Sequence, residues 1–240
     1  MNTTRICLWS SPRNISTAMM YSFAQRPDAI VFDEPLYAHY LRASGVEHPG
    51  QNEILQSQEN DGDKVVHELM LGAFDKPVAF FKQMTHHLIQ LNEDFLSEMK
   101  NIIFIRDPKQ IISSYAQVRP GVNMQDIGIA KQSQLFDQLK KNNHHCVVLD
   151  SNEILKAPEI VLKKLCAALE IPFYNSMLHW PAGPKKEDGV WAKHWYDNVH
   201  KSTGFEKQQT SNRALPGYLE QLYNESKIYY DELFQHSIKA

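Results

Sequence analysis

Two short stretches of this chain combine hydroxyls and guanidinium groups in a way that suits an anion. The first is Ser10-Ser11-Pro12-Arg13-Asn14-Ile15-Ser16-Thr17. It follows an apolar run, Ile6-Cys7-Leu8-Trp9, and opens a helical pattern in Ala18, Met19, Ser22 and Phe23 that Pro27 stops. A strand feeding such a loop and then a helix N-terminus points unpaired backbone N–H groups and the positive end of the helix dipole at one spot, and Arg13 adds a full charge. The second stretch is Arg106-Asp107-Pro108, followed on the next helical pattern by Ser113-Ser114-Tyr115. A guanidinium at a strand end and a hydroxyl on the helix behind it can share the oxygens of a dianion. Neither stretch is a Walker A loop, which needs glycines and a lysine that are absent here.

Group transfer to a hydroxyl or amine also needs a base, and two candidates stand open. Glu34 follows Asp33 at the end of the apolar run 29–32, and open α/β sheets place ligand chemistry at such strand ends. His86 and His87 come shortly after the run 78–81 and Lys82. A helix-capping role for Glu34 and a helix start at the histidines are the plainer readings. His67-Glu68 lacks the second histidine of a zinc-protease helix, and His86/His87 have no third ligand, so no metal is expected. Cys7, Cys146 and Cys166 lie far apart within apolar patterns and read as buried thiols of a reducing compartment.

These groups need a scaffold. A chain of 240 residues, 42% hydrophobic and 22% charged, can bury one sizeable core, and a single domain over 1–240 is expected. A net charge of −3 argues against a nucleic-acid binder that works through a broad basic surface. With no leader pattern and no run of about 18 apolar residues, no membrane contact is expected and the location reads as cytoplasmic. Apolar runs at 6–9, 29–32, 78–81, 101–105 and 146–149 alternate with helical patterns. They predict an α/β fold, a mostly parallel five-stranded sheet flanked by helices on both faces. Helices are expected over 36–45, 62–73, from His87 to about Met99, and over 109–118, 123–142, 158–170 and 216–235, with a mobile polar loop at 46–60. After the core at 5–173, residues 174–240 read as a lid loop and a closing helix. Lys185, Lys186, Trp191, Lys193, His194 and Trp195 lie in the loop, which is expected to be mobile until a ligand closes it. Tyr37, His39, Tyr40 and Trp180 suggest an aromatic-lined pocket.

Together these motifs resemble those of sulfotransferases that use 3′-phosphoadenosine 5′-phosphosulfate (PAPS). That family's 5′-phosphosulfate loop reads Pro-[Lys/Arg]-Ser-Gly-[Ser/Thr]-Thr. Pro12, Arg13, Ser16 and Thr17 match it in order, while Asn14 and Ile15 stand where Ser and Gly are usual. Arg106 and Ser114 have the spacing of the family's 3′-phosphate site, and Asp150-Ser151-Asn152-Glu153 through Ile171-Pro172-Phe173 looks like its closing β-α segment. The resemblance implies a P-loop NTPase-like sulfotransferase architecture, with PAPS as co-substrate and no metal. It implies a small-molecule acceptor, a 5′ site at 11–17, a 3′ site at Arg106 and Ser114, and Lys185 and Trp191 in a cationic lid. Glu34 is placed like the glutamate of bacterial carbohydrate and tyrosylprotein sulfotransferases. The Lys-x-His base of the cytosolic enzymes is broken here, since Gln83 and Met84 follow Lys82 and the histidines come later. Two rivals are a P-loop kinase-like ATP-dependent phosphotransferase and a catalytically inactive nucleotide-binding relative.

Overall fold

The computed structural model describes residues 3–116, 121–206 and 215–240, so the expected end of one helix at Val118 lies outside the described residues. Strands β1 (Thr4–Ser10), β2 (Ala29–Asp33), β3 (Val78–Met84), β4 (Lys100–Ile105) and β5 (Cys146–Asp150) form one sheet, all parallel, in the order β2-β3-β1-β4-β5. In chain order its helices are α1 (Ser16–Ala24), α2 (Tyr37–Ser44), α3 (Gln51–Ser57), α4 (Gly62–Lys64), α5 (Pro108–Tyr115) and α6 (Met124–Ile127). They continue with α7 (Ile129–Lys141), α8 (Ser151–Lys156), α9 (Pro158–Ala168), α10 (Ala192–Trp195), α11 (Asp197–His200) and α12 (Glu220–Gln235).

The strands lack a polar face because each face carries its own core. Ile6, Leu8, Val31, Phe80, Ile102, Phe104 and Leu149 pack with Met19, Met20 and Phe23 of α1 and Val161, Leu162 and Leu165 of α9. Their strand neighbours Cys7, Trp9, Ala79, Phe81, Ile103 and Ile105 pack with Ile111 and Ile112 of α5, Leu135 and Leu139 of α7, and Leu233 of α12. The period of two along each strand divides one apolar run between two layers.

Local polarity misled the sequence reading in three places. The expected loop at 46–60 contains α3, because Ile54 is fully buried against Tyr37, Leu41 and Trp191. The helix expected from His87 to Met99 is absent, and the stretch forms 3-10 segments at Thr85–His87 and Asp94–Glu98 instead, although Leu88, Phe95, Leu96 and Met99 reach the core at spacings that an α-helical stripe would also provide. The single helix expected over 123–142 is two. Gly128 takes φ 75° between α6 and α7, a left-handed turn open to glycine at little cost.

One buried side chain of α7 positions the sheet's working end. The carboxamide Nε2 of Gln132 donates to Trp9 O at 3.0 Å and to Phe104 O at 2.8 Å, each one residue before the end of its strand, β1 or β4. Gln132→Leu keeps the volume but strips Trp9 O of that partner. A stability loss of about 2 kcal/mol is expected, read as a fall in Tm of about 4–8 °C for a chain of this length. An unchanged Tm would mean that this bridge contributes nothing.

Candidate active site

The loop after β1 turns sharply at Arg13, whose φ of 58° lies in the left-handed region. That conformation is held from two sides. Arg106 Nη1 donates to Arg13 O at 2.5 Å. Asn14 donates through Nδ2 to Phe104 O at 3.0 Å and accepts Ile15 N–H on its own Oδ1 at 2.8 Å. Ile15 itself sits at φ −90°, ψ 32°, so the position where the resemblance would place glycine has no need of one. α1 starts at Ser16 without a side-chain cap among the described residues, which leaves its first N–H groups directed at the loop. Ser11 Oγ is buried there with no partner among the described residues.

The two anion-suited stretches meet in space. Arg13 Nε donates to Ser114 Oγ at 2.9 Å across 101 residues of sequence. Arg106 Nε donates to Gln110 Oε1, and Gln110 in turn donates to Asn152 at the start of α8. Asp107 caps α5 by accepting from Lys109 N–H. Burial and the neighbouring charge of Arg13 lower the basicity of Arg106, while Asp107 and Asp150 act the other way. Two guanidinium groups so close are mutually repulsive until an anion lies between them.

Across the sheet, at the ends of β2 and β3, the register pairs Asp33 with Lys82. Lys82 is fully buried, and its Nζ donates to Asp33 Oδ1 at 2.8 Å, to Glu34 Oε1 at 2.5 Å and to Tyr196 Oη at 2.6 Å. The Tyr196 hydroxyl passes its own hydrogen to Asp33 Oδ2 at 2.7 Å, and Gly189 N–H donates to the same oxygen at 3.0 Å. Burial opposes the Lys82 charge, but Asp33 and Glu34 outweigh it and hold the amine well above its ordinary range. Glu34 is pushed up by its burial, with Lys82 pulling down and Asp33 pushing up. One ammonium serves two carboxylates, and the uncompensated charge falls on Glu34. Among the described residues no side chain caps α2, so Glu34 does not act there as a helix-capping carboxylate.

The histidine pair divides. His87 is fully buried, its ring stacked on Tyr37 and Tyr40 at 5.2 and 5.0 Å, with Nε2 3.7 Å from Glu34 Oε2. Burial and then the nearby His86 and Lys82 keep its basicity well below the usual value. His86 lies edge-on to Tyr40 at 4.7 Å, and burial with His48 pushes it down to about 4. Both imidazoles are therefore neutral at neutral pH.

The expected aromatic pocket is composed differently. His39 is occupied, with Nε2 against Ile89 O at 2.8 Å and Nδ1 accepting Gly62 N–H at 3.1 Å. Trp180 packs under α1 with Tyr21 and Phe205, in the other core. Trp191 takes its place beside Tyr37 at 5.1 Å, buried, with Nε1 donating to Tyr196 Oη at 3.2 Å. Lys185 stands elsewhere, over the Tyr21 ring of α1 and bonded to Gly183 O. The loop within 174–240 that reads as a lid makes hydrogen bonds to α1 and β2 through Asp188, Gly189 and Tyr196. Asp188 accepts from Tyr21 Oη at 2.6 Å and from His200 Nε2 at 2.9 Å, and Asp33 accepts from Gly189 and Tyr196. Tyr196 and Gln83 went unmarked in the sequence. A lysine inside an apolar parallel strand signals buried carboxylates, but nothing local announces a tyrosine 114 residues away.

Among the described residues no group of three or more His, Cys, Asp and Glu side chains could hold a metal ion, and no helix is long and apolar enough to cross a membrane. Residues 4–221 match the sulfotransferase domain family. Branched-chain-amino-acid aminotransferase-like proteins 2 and 1 of Arabidopsis thaliana are each 41% identical over 209 residues, 87% of this chain. The chain spans only 37% and 38% of the length of these curated relatives. Among solved structures, the sulfotransferase domain from the curacin biosynthetic pathway superposes with a TM-score of 0.57 at 16% identity, covering 97% of this chain and 98% of that one. The sulfotransferase domain of the Synechococcus PCC 7002 olefin synthase gives 0.54 at 15% identity, covering 96% and 95%. At such identities the likeness is one of fold.

The buried charge cluster has a distinct pH signature. Lys82→Met leaves two buried carboxylates without their cation, and a loss of about 3–5 kcal/mol is expected at neutral pH. A carboxyl raised on folding stabilises the native state below its unfolded pKa, and that contribution is lost as pH rises through the folded value. The deficit of Lys82→Met should therefore be smallest near about pH 4 and grow toward about pH 8. Denaturant unfolding across that range checks it, and a deficit independent of pH would contradict the carboxylate account.

Proposed function

The chain belongs to the sulfotransferase domain family, and from that premise we propose that it moves a sulfuryl group from PAPS to a hydroxyl or amine of a small acceptor. The observation that most supports this reading is the juxtaposition of Arg13, Ser114 and Arg106 at one end of the sheet. Two clustered guanidinium groups, an uncapped helix start and the orphaned hydroxyl of Ser11 fit a ligand with phosphate at both ends of its ribose. Arg106 and Ser114 would hold the 3′-phosphate, and Ser11 to Thr17 would wrap the 5′-phosphosulfate.

Arg13 then neutralises charge that builds on the bridging oxygen as the sulfuryl group departs, which is where a loose transition state needs a cation. To do so its side chain leaves Ser114, freeing that hydroxyl for the 3′-phosphate. Glu34 accepts the proton that the acceptor loses, and its raised proton affinity suits that task. The neutral imidazoles of His87 and His86, both held below their ordinary basicity by burial, make poorer bases. Tyr37, Tyr40 and Trp191 would line the acceptor's side of the cleft, and Lys185 would stand at the α1 side as part of the cover. Free thiols at Cys7, Cys146 and Cys166 support a cytoplasmic setting. The aminotransferase-like name belongs to proteins of which this chain spans a minor part.

Ligand linkage separates this reading from an ATP-dependent phosphotransferase. Adenosine 3′,5′-bisphosphate at a hundredfold excess over Kd should stabilise the fold by about 2.7 kcal/mol, a rise in Tm of roughly 5–10 °C, without Mg²⁺. ATP should produce a small shift with or without Mg²⁺. The reverse order would overturn the assignment.

The base is tested by Glu34→Gln, which should lower kcat by about 10²–10⁴-fold with nucleotide affinity nearly unchanged. Full activity in Glu34→Gln would move the role to the histidines.

A further inference from the structure

We propose that Gln83 and His87 are positioning residues for Glu34. In this arrangement Gln83 fixes the His87 tautomer, and the lone pair on His87 Nε2 receives the Oε2–H of Glu34 after proton capture. The origin of that proton rests on the sulfuryl-transfer reading, while the arrangement itself stands on contacts independent of it.

The argument starts from a backbone group. Leu36 N–H can only donate, and it faces one end of the buried Gln83 carboxamide at 3.4 Å, which makes that end the oxygen Oε1. His87 Nδ1 lies 3.3 Å from the same oxygen, so Nδ1 carries the imidazole hydrogen. The ring is neutral, because burial and the neighbouring His86, Lys82, His48 and His39 oppose a second proton and outweigh the pull of the Glu34 carboxylate that faces Nε2. The lone pair is therefore on Nε2, which is buried and has no hydrogen-bond partner among the described residues. It points at Glu34 Oε2 across 3.7 Å, while the other carboxylate oxygen is taken by Lys82. Stacking between Tyr37 and Tyr40 holds the ring plane. The other tautomer would set the Nδ1 lone pair against Gln83 Oε1, and a ring flip would put Cδ2–H there in place of a donor.

Two buried acceptors facing each other with no proton between them are poorly satisfied, and one proton corrects both. During transfer the acceptor's X–H bond breaks as X bonds to sulfur. The S–O bond to the bisphosphate breaks with its electron pair left on the 5′-phosphate oxygen, and the proton goes to Glu34 Oε2. A closure of about 1 Å then lets Oε2–H donate to His87 Nε2 at ordinary hydrogen-bond length. His87 stays neutral throughout and acts by stabilising the carboxyl form, which raises the affinity of Glu34 for the proton.

The test uses the ligand-free full chain with ¹⁵N-labelled histidine and ¹³C-labelled glutamate, followed by NMR from about pH 5 to 8. His87 should be neutral with hydrogen on Nδ1, the less common tautomer. In Gln83→Leu the hydrogen should move to Nε2, where it favours the Glu34 carboxylate, and the Glu34 titration should fall by about one pH unit. His87→Phe keeps a ring between the tyrosines and should produce a similar fall, which serves if Gln83→Leu does not fold. Both substitutions make the surroundings less polar, which alone would raise a carboxyl pKa, so a fall is specific to the lost lone pair. Hydrogen on Nε2 in the unsubstituted chain, or a Glu34 titration that stays or rises in the variants, overturns the proposal. These signals need no PAPS and no turnover. The expected tautomer and shift in a chain that transfers no sulfuryl group would therefore sink the functional reading and leave this one standing.

Discussion

The working end of this molecule depends on one ammonium. Lys82 is buried in β3, and an unpaired charge there would be intolerable, so the fold must bring carboxylates and a hydroxyl to it. That demand sets several features at once. It favours the β2–β3 register that puts Asp33 opposite Lys82. It accounts for the left-handed backbone of Glu34, φ 45°, which turns that carboxylate back to the amine. It also draws the segment carrying Gly189, Trp191 and Tyr196 over the strand ends, because Asp33 and Lys82 still have valences to satisfy. The cluster has one more carboxylate than ammonium, and this imbalance keeps Glu34 receptive to a proton.

The β1–β4 end of the same sheet edge carries cations instead. Among the contacts of Arg13 and Arg106 are neutral acceptors, Ser114, Gln110 and the carbonyl of Arg13. Neutral partners orient a guanidinium without cancelling its charge, so attraction for an anion is preserved. The carboxamides of Asn14 and Gln132 do the same for the backbone. Between them they satisfy the carbonyls of Trp9 and Phe104 just where the loop departs from the sheet. A loop that departs from the usual phosphosulfate pattern at Asn14 and Ile15 thereby keeps its shape. The left-handed residue is Arg13, and Asn14 supplies by hydrogen bonds what glycine would supply by freedom.

The chain thus belongs to the sulfotransferase domain family and carries two unlike groups along one sheet edge, one cationic and one with a buried excess of carboxylate. Solved sulfotransferase domains share its fold at 15–16% identity, which is enough to align sheets and too little to carry residue roles across. The roles argued for Arg13, Arg106, Glu34 and His87 rest on what each side chain touches in this molecule.

Much of this was legible in the sequence. Apolar runs bounded by charged residues marked all five strands, since a parallel strand buried on both faces has no room for polar residues until it ends. The same rule put Arg13, Glu34 and Arg106 just past strand ends and so on one edge of the sheet, whereas Lys82, read as the end of its strand, lies inside β3. Tertiary structure alone decided who meets whom. Ile54 made a helix of a polar stretch because a distant tyrosine and tryptophan offered it a place. Gly128 broke a helix whose periodicity ran through it. Trp180, read as aromatic lining, and Trp191, read as part of a lid, went to different cores. The pairings Arg13–Ser114, Lys82–Tyr196 and His87–Glu34 join residues far apart in the chain. No local pattern encodes them, because a side chain's partner is set by where burial leaves a valence unsatisfied, and that is known only once the chain has folded.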